Sequence, residues 1–157
     1  MKSRIYIETT VISYLAARPS RDLIVAAHQQ LTHDWWDNRR SDFELVTSQF
    51  VIDEASAGDQ EVAGKRLDIL TGIPLLEISD DAEALAGKIV ERQALSGRAA
   101  EDALHIAVAT VHEVDYLLTW NCKHIANAEL QKSVAKVCSE TDFELPTICT
   151  PEELMGE

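Results

Sequence analysis

Four polar residues of this sequence could together bind a cation: Glu8, Glu54, Asp102 and Asn121. Each follows a predicted strand or lies near the start of a predicted helix, so one fold could bring them together. Like charges held a few ångströms apart raise one another's pKa unless a cation neutralises them. Carboxylates, an amide oxygen and water suit Mg²⁺ or Mn²⁺ far better than zinc. Such a site predicts metal-assisted hydrolysis of a phosphodiester bond, in which the ion activates water and stabilises the leaving oxygen.

The segment Ala100–Ala109, AEDALHIAVA, is predicted to be the central helix of the fold. It is apolar nearly all round, and a helix of that kind is stable only where other elements cover most of its surface. Asp102 lies in its first turn, where exposed backbone N–H groups favour a negative charge. The sequence therefore places this carboxylate at the edge of the core, where it needs a cation.

Short β-rich segments alternate with helical patterns along the chain. The predicted strands are Arg4–Ile7, Phe43–Thr47, Ile73–Ile78 and Val114–Thr119, with a weaker one at Val137–Cys138. This alternation is typical of an α/β fold with an open, mainly parallel sheet of four to five strands and helices on both faces. Ligands of such sheets bind at the carboxyl ends of the strands. Glu8 and Asn121 follow the first and fourth strands, and Glu54 is predicted near the same edge.

Capping residues and helix breakers predict the remaining helices. Thr9 or Thr10 is expected to cap the first helix, and Ser48 to open the helix that carries Glu54. Four further helices are predicted: from about Arg21 to Asn38 with an apolar stripe of Leu23, Ala27, Leu31 and Trp35, from a cap at Asp59 to Leu70, from caps at Asp80 and Asp81, and from about Ile125 to Ala135. Ser96–Arg98 is the predicted loop before the central helix, and Pro151–Leu154 a short helical start with proline at its first position.

Composition narrows the class of protein. The 157 residues predict a single domain, 1–157, with enough chain to bury a core. The 14 basic and 27 acidic residues give a net charge of −13. This charge suits the binding of a cation or of a basic protein partner better than the binding of a nucleic acid, whose phosphates need basic residues to neutralise them. No apolar run approaches the roughly 20 residues of a membrane span, and the N-terminal pattern is not that of a secretory signal. The three cysteines form no close pair. We therefore expect a cytoplasmic protein with reduced thiols and no membrane partner.

Three neighbours of the candidate residues have alternative interpretations. Asp53 could take the place of Glu54, because a sequence pattern fixes the phase of a helix only to within about a residue. Glu101 is expected to point to solvent. His105 lies three residues after Asp102 and shares its helix face, so it could act as a base or a hydrogen-bond donor; a packing role is the favoured interpretation.

Basic and aromatic residues allow contacts with a nucleic acid. Lys123 and His124 follow Asn121 and could touch a scissile phosphate, although a surface pair at a helix start explains them equally well. Arg98 could do the same. Trp35 and Trp36 could stack on bases, but aromatic residues at helical spacing are more often packing, and a core or dimer contact is favoured.

Four segments of the chain resemble the PIN-domain ribonucleases, in particular the VapC-type toxins of bacterial toxin–antitoxin pairs. They are IYIETTVISYL, FVIDEASAGD, EDALHIAVA and YLLTWNCKHIAN, in that order between positions 5 and 127. The resemblance implies that Glu8, Glu54 and Asp102 bind the metal, with Asn121 at the fourth position and Thr119 just before it. It also favours Glu54 over Asp53. Two positions depart from the family pattern: Glu8 replaces the usual Asp, and the amide of Asn121 removes a negative charge.

The leading hypothesis is a metal-dependent endoribonuclease, the toxin of a toxin–antitoxin pair, with Mg²⁺ or Mn²⁺ as cofactor. The resemblance also implies an RNA substrate, a cognate antitoxin protein and a homodimer. The alternative is a catalytically weak or inactive PIN-like binding module. A receiver-like phosphoryl-transfer domain is the third hypothesis, and it is disfavoured because the chain has no acidic pair after the first strand.

Overall fold

The computed structural model describes residues 1–93 and 99–156 and contains five strands and seven α-helices in these ranges. In chain order they are β1 (Arg4–Ile7), α1 (Thr9–Ala16), α2 (Leu23–Asn38), β2 (Glu44–Ser48), α3 (Gln49–Ala55), α4 (Gln60–Leu70), β3 (Leu75–Leu76), α5 (Asp80–Gln93), α6 (Ala99–Val111), β4 (Tyr116–Leu118), α7 (Ala128–Ser139) and β5 (Thr147–Cys149). Short 3₁₀ turns span Arg40–Asp42 and Pro151–Leu154. The predicted α/β class is confirmed.

The five strands form one parallel sheet in the order β3-β2-β1-β4-β5. Ile5 of β1 lies opposite Leu45 of β2 on one side and Tyr116 of β4 on the other. The chain first adds strands on one side of β1 and then crosses to the other side. The crevice at the carboxyl ends of β1 and β4 is therefore the switch point at which open parallel sheets bind their ligands.

Helices cover both faces of the sheet. Three consecutive residues of β1, Ile5, Tyr6 and Ile7, are fully buried, and successive strand residues point to opposite faces. Helix α6 packs against α5, and α1 packs against α2, α3 and α4. The buried side of α6 runs through Ala103 and Ile106–Ala109, which confirms the prediction of a central core helix.

The strand predictions were right for β1, β2 and β4, too long for β3 and wrong for Val137–Cys138. Val137–Cys138 is not a strand; both residues lie on the buried face of α7 together with Val134, at helical spacing. The third strand is confined to Leu75–Leu76 at the sheet edge, because Pro74 has no N–H for a ladder. Helix α7 begins at Ala128, where Asn127 caps it, and not at Ile125.

The caps of several helices differ from the prediction. Ser48 and Asp59 cap α3 and α4 as expected. Neither Thr9 nor Thr10 caps α1; the cap position is Glu8, and no side chain supplies a capping bond. The threonine hydroxyls instead donate to carboxylates of the site described below. At α5, the backbone N–H of Ala82 donates to Ser79 Oγ, and not to the predicted caps Asp80 and Asp81.

Two further expectations concern α2 and the loop before α6. Trp35 is buried in the core as favoured, but Leu23 of the predicted stripe is 86% exposed. The predicted loop Ser96–Arg98, with the phosphate contact suggested for Arg98, lies outside the described residues. In the described part of the chain, no helix has the length and apolar character needed to cross a membrane.

Candidate active site

A cavity of about 810 Å³ opens at the carboxyl ends of β1 and β4, and all four predicted residues line it. Glu8 follows β1, Asn121 lies in the turn after β4, Glu54 comes from α3, and Asp102 comes from the first turn of α6. The rest of the charged lining is Asp53, Glu101, Lys123 and His124. The cavity is therefore strongly acidic, with Lys123 and His124 as neighbouring basic residues.

Glu8 is the most deeply buried acid of the cavity, at 4% exposed. Its Oε1 accepts hydrogen bonds from Thr10 Oγ1 at 2.5 Å and Thr119 Oγ1 at 2.6 Å. The backbone N–H of Glu8 donates to the carbonyl of Leu118, which fixes the turn beside β4. A buried carboxylate is costly unless donors satisfy it, and the two threonines do so here.

Glu54 is half-buried and receives donors on one oxygen. Thr9 Oγ1 donates to Glu54 Oε1 at 2.5 Å, and His105 Nε2 lies 2.6 Å from the same oxygen. Its neighbour Asp53 is exposed and accepts from Gln49 Nε2 one helical turn earlier, at 2.9 Å. Glu54 is therefore the inward acid of the pair, although both line the cavity.

Asp102 and Asn121 meet directly. Asn121 Nδ2 donates to Asp102 Oδ1 at 3.1 Å, while Asn121 Oδ1 accepts from the backbone N–H of His124 at 3.0 Å. Burial raises the pKa of the Asp102 carboxyl, the nearby His124 and His105 lower it, and the charges of Glu8 and Glu54 raise it further. The amide of Asn121 thus acts as a donor to Asp102, and its role as a metal ligand stays a prediction.

His105 does more than the packing role favoured from the sequence. It is 1% exposed and packs against the rings of Tyr6 and Phe50, as a core residue would. Both of its ring nitrogens are also hydrogen-bonded, Nε2 to Glu54 and Nδ1 to the hydroxyl of Tyr6 at 2.9 Å. The sequence analysis missed Tyr6; its signal was a tyrosine inside a buried strand, where the hydroxyl needs a partner.

The donor set fits a hard divalent cation in its chemistry: three carboxylates in one cavity, all offering oxygen. Among the described residues, however, no three His, Cys, Asp or Glu side chains are close enough to hold a metal together. Mg²⁺ usually keeps several of its waters and binds through one or two carboxylates. In that mode Glu8, Glu54 and Asp102 are the acids that would hold the ion.

Comparisons with known proteins include a structural neighbour of similar size. It is a chain of the crystal structure of VapBC2 from Rickettsia felis bound to a DNA fragment from their promoter, with a TM-score of 0.59 and 14% identity, over 94% of this chain and 98% of that one. No protein-family model matches the sequence, and no curated protein does. Identity at this level shows the fold alone. Together with the parallel sheet, the similarity shows that this chain has the PIN-like fold that its sequence segments resemble.

Proposed function

We propose that this protein is a metal-dependent endoribonuclease, the toxin of a toxin–antitoxin pair. The observation that carries the proposal is the acidic cavity at the switch point of the sheet, where Glu8, Glu54 and Asp102 come together from three different elements. The four segments that resemble VapC-type toxins contribute all three acids. The fold shared with a toxin–antitoxin protein supports the same assignment.

Glu8, Glu54 and Asp102 are the residues that would hold Mg²⁺ or Mn²⁺, with Asn121 beside them. A bound divalent ion would supply Lewis-acid chemistry, activating the attacking water and stabilising the leaving oxygen of the phosphodiester. The chain's part is to position the acids: Thr10 and Thr119 hold Glu8, and Asn121 aligns Asp102.

The rim of the cavity suggests how RNA would lie. Lys123 and His124 are exposed and adjacent to Asn121, whereas the other charged residues of the lining are acidic. A phosphate of the substrate would contact these two side chains. The acidic wall would repel RNA without the ion, so binding and cleavage both depend on metal.

The partner of such a toxin would be an antitoxin protein. The similar structure is that of VapBC2 bound to a DNA fragment. This chain carries a net charge of −13 and has five acids in the cavity lining. We expect the antitoxin segment that reaches the cavity to be basic, and the complex to weaken as salt rises. A homodimer and a cytoplasmic location complete the proposal.

The test is cleavage of a panel of structured RNAs in Mg²⁺, in Mn²⁺ and in EDTA. The variants are Glu54→Gln and Asp102→Asn, and the matched control is Asp53→Asn, which neutralises an exposed acid of the same cavity next to Glu54. We expect metal-dependent cutting that both variants lose and the control retains. Cutting that survives EDTA, or that both variants retain, would contradict the proposal.

A second candidate, a PIN-like binding module without activity, is supported by the spacing of the acids. No three of the described His, Cys, Asp or Glu side chains form a preassembled metal set, and Glu8 replaces the shorter Asp of the family pattern. Calorimetry with Mn²⁺ separates the two functions. Absence of both Mn²⁺ binding and RNA cleavage would favour the binding module.

A further inference from the structure

A chain of hydrogen-bonded side chains connects the interior of the sheet to the cavity. Ser48 Oγ lies 2.8 Å from the Tyr6 hydroxyl, Tyr6 lies 2.9 Å from His105 Nδ1, and His105 Nε2 lies 2.6 Å from Glu54 Oε1. We propose that His105 is a positioning residue of the candidate site, oriented by Tyr6 and Ser48 and donating from Nε2, so that it directs the carboxylate of Glu54. The effect of this positioning on metal binding rests on the proposed function.

The chain is buried and comes from separate elements. Tyr6 of β1, Ser48 at the end of β2 and His105 of α6 are each at most 1% exposed. Ser48 also accepts from the backbone N–H of Val51 as the cap of α3, the helix that carries Glu54. The Tyr6 ring meets the imidazole edge-on at 5.9 Å, and the Phe50 ring lies 4.9 Å from it. The imidazole therefore has little freedom to rotate away.

The carboxylate at the end of the chain fixes the direction of every hydrogen bond. An ionised carboxylate only accepts, and a neutral imidazole has one donor nitrogen and one acceptor nitrogen. His105 Nε2 must then carry the proton, and Nδ1 accepts from the Tyr6 hydroxyl. The oxygen of Tyr6 accepts in turn from Ser48.

The members of the chain are close in sequence to the acids of the cavity. Tyr6 is two residues before Glu8 on the same face of β1, and His105 is three residues after Asp102 on the same side of α6. Glu54, on the seven-residue helix α3, is tied to this frame by His105 and by Thr9. A partner that orients a metal-binding side chain typically contributes about 10–100-fold in metal affinity or activity.

The first test reads the tautomer in the full chain, without metal or RNA. Long-range ¹H–¹⁵N spectra of the histidine rings are recorded for the wild type, with the His105 signals assigned by their loss in His105→Gln. We expect a single Nε2–H tautomer that persists in Tyr6→Phe, where Glu54 still accepts from Nε2, and that becomes mixed in Glu54→Gln, whose amide can either donate or accept. A wild-type His105 in the Nδ1–H form, in a mixture of forms or doubly protonated overturns the proposal.

The second test reads the effect on the metal. Mn²⁺ affinity is measured by calorimetry for His105→Leu, His105→Gln and the control His112→Gln, a histidine just after α6 that bonds the carbonyl of Glu77. We expect a loss of about 10–100-fold in the leucine variant, partial recovery with the glutamine amide, and no change in the control. If the leucine variant binds Mn²⁺ as the wild type does, the positioning role is wrong. If the wild type binds no Mn²⁺, the proposed function fails, and the tautomer alone decides the inference.

Discussion

Replacing Thr119 by valine should show how strongly the protein depends on donors to the buried acid. Thr119 is fully buried, and its hydroxyl donates to Glu8 Oε1 at 2.6 Å while accepting from the backbone N–H of Asn121 at 2.9 Å. Valine has nearly the same shape, so the substitution removes two hydrogen bonds and creates little empty volume.

The expected loss follows from the two bonds. A hydrogen bond to a charged group contributes about 1.5–3 kcal/mol, and an ordinary one about 0.5–1.5 kcal/mol. Thr119→Val should therefore lower the free energy of unfolding by about 2–4 kcal/mol, and the Tm by about 2–4 °C for each kcal/mol in a chain of this size. The control is Thr110→Val, also fully buried, whose hydroxyl donates to the uncharged carbonyl of Ile106 and is hydrogen-bonded with the Cys138 thiol. It should lose about 1 kcal/mol or less.

Urea denaturation is measured for the wild type, Thr119→Val, Glu8→Gln and the double variant. The comparison isolates the part of the stability loss of Thr119→Val that depends on the charge of Glu8. In the Glu8→Gln background the hydroxyl meets a neutral acceptor, so the cost of Thr119→Val should fall by about 1–2 kcal/mol. Equal costs in both backgrounds, or a loss no larger than that of Thr110→Val, would refute the idea that the hydroxyl compensates a buried charge.

Three other perturbations have defined outcomes. Because the folded-state pKa of Asp102 is raised above its unfolded value, its ionisation costs stability as pH rises through the folded pKa, and no cost exists below the unfolded pKa. Asp102→Asn should therefore be more stable than the wild type at pH 8 but not at pH 3 by urea denaturation, and Mn²⁺ at a hundred times its Kd should stabilise only the wild type, by about 2.7 kcal/mol. Trp120→Phe should lose about 2–4 kcal/mol, because it vacates buried volume and removes the indole bond to Thr32 at 2.7 Å; Trp36→Phe, at a half-buried position, should lose less, and equal losses would contradict this account. Finally, Ellman's reagent should label Cys122 quickly and the buried thiols of Cys138 and Cys149 only in urea, since burial raises the pKa of Cys149 to about 12. Fast labelling of all three thiols would show that the core opens.

The sequence predicted those parts of the fold that depend on local patterns. The strand Arg4–Ile7 and the caps Ser48 and Asp59 were found because β-rich composition and capping are properties of a few neighbouring residues. Strand β5 was missed because Thr147–Cys149 is only three residues long and is a strand through its pairing with β4. Tertiary context decided that element.

The site was predictable at the level of its acids but not of their hydrogen bonds. Glu8, Glu54, Asp102 and Asn121 do line one cavity, because strand ends and helix starts meet at one edge of a parallel sheet. Which hydroxyl reaches which carboxylate depends on the packing of α1, β4 and α6 against one another. For that reason the sequence predicts Thr9 and Thr10 only as helix caps, and it does not reveal the link from Tyr6 through His105 to Glu54.

The bond between Thr119 and Glu8 has a consequence for the timing of synthesis. The two residues are 111 positions apart in the chain, and ribosomes add roughly 5–20 residues per second. Glu8 is therefore made on the order of ten seconds before the hydroxyl that satisfies it. Strand β1 is likewise synthesised about that long before β4, with which it pairs in the sheet. During translation the nascent chain thus has no assembled cavity, and any protein that recognises the cavity can engage only after nearly the whole domain has left the ribosome.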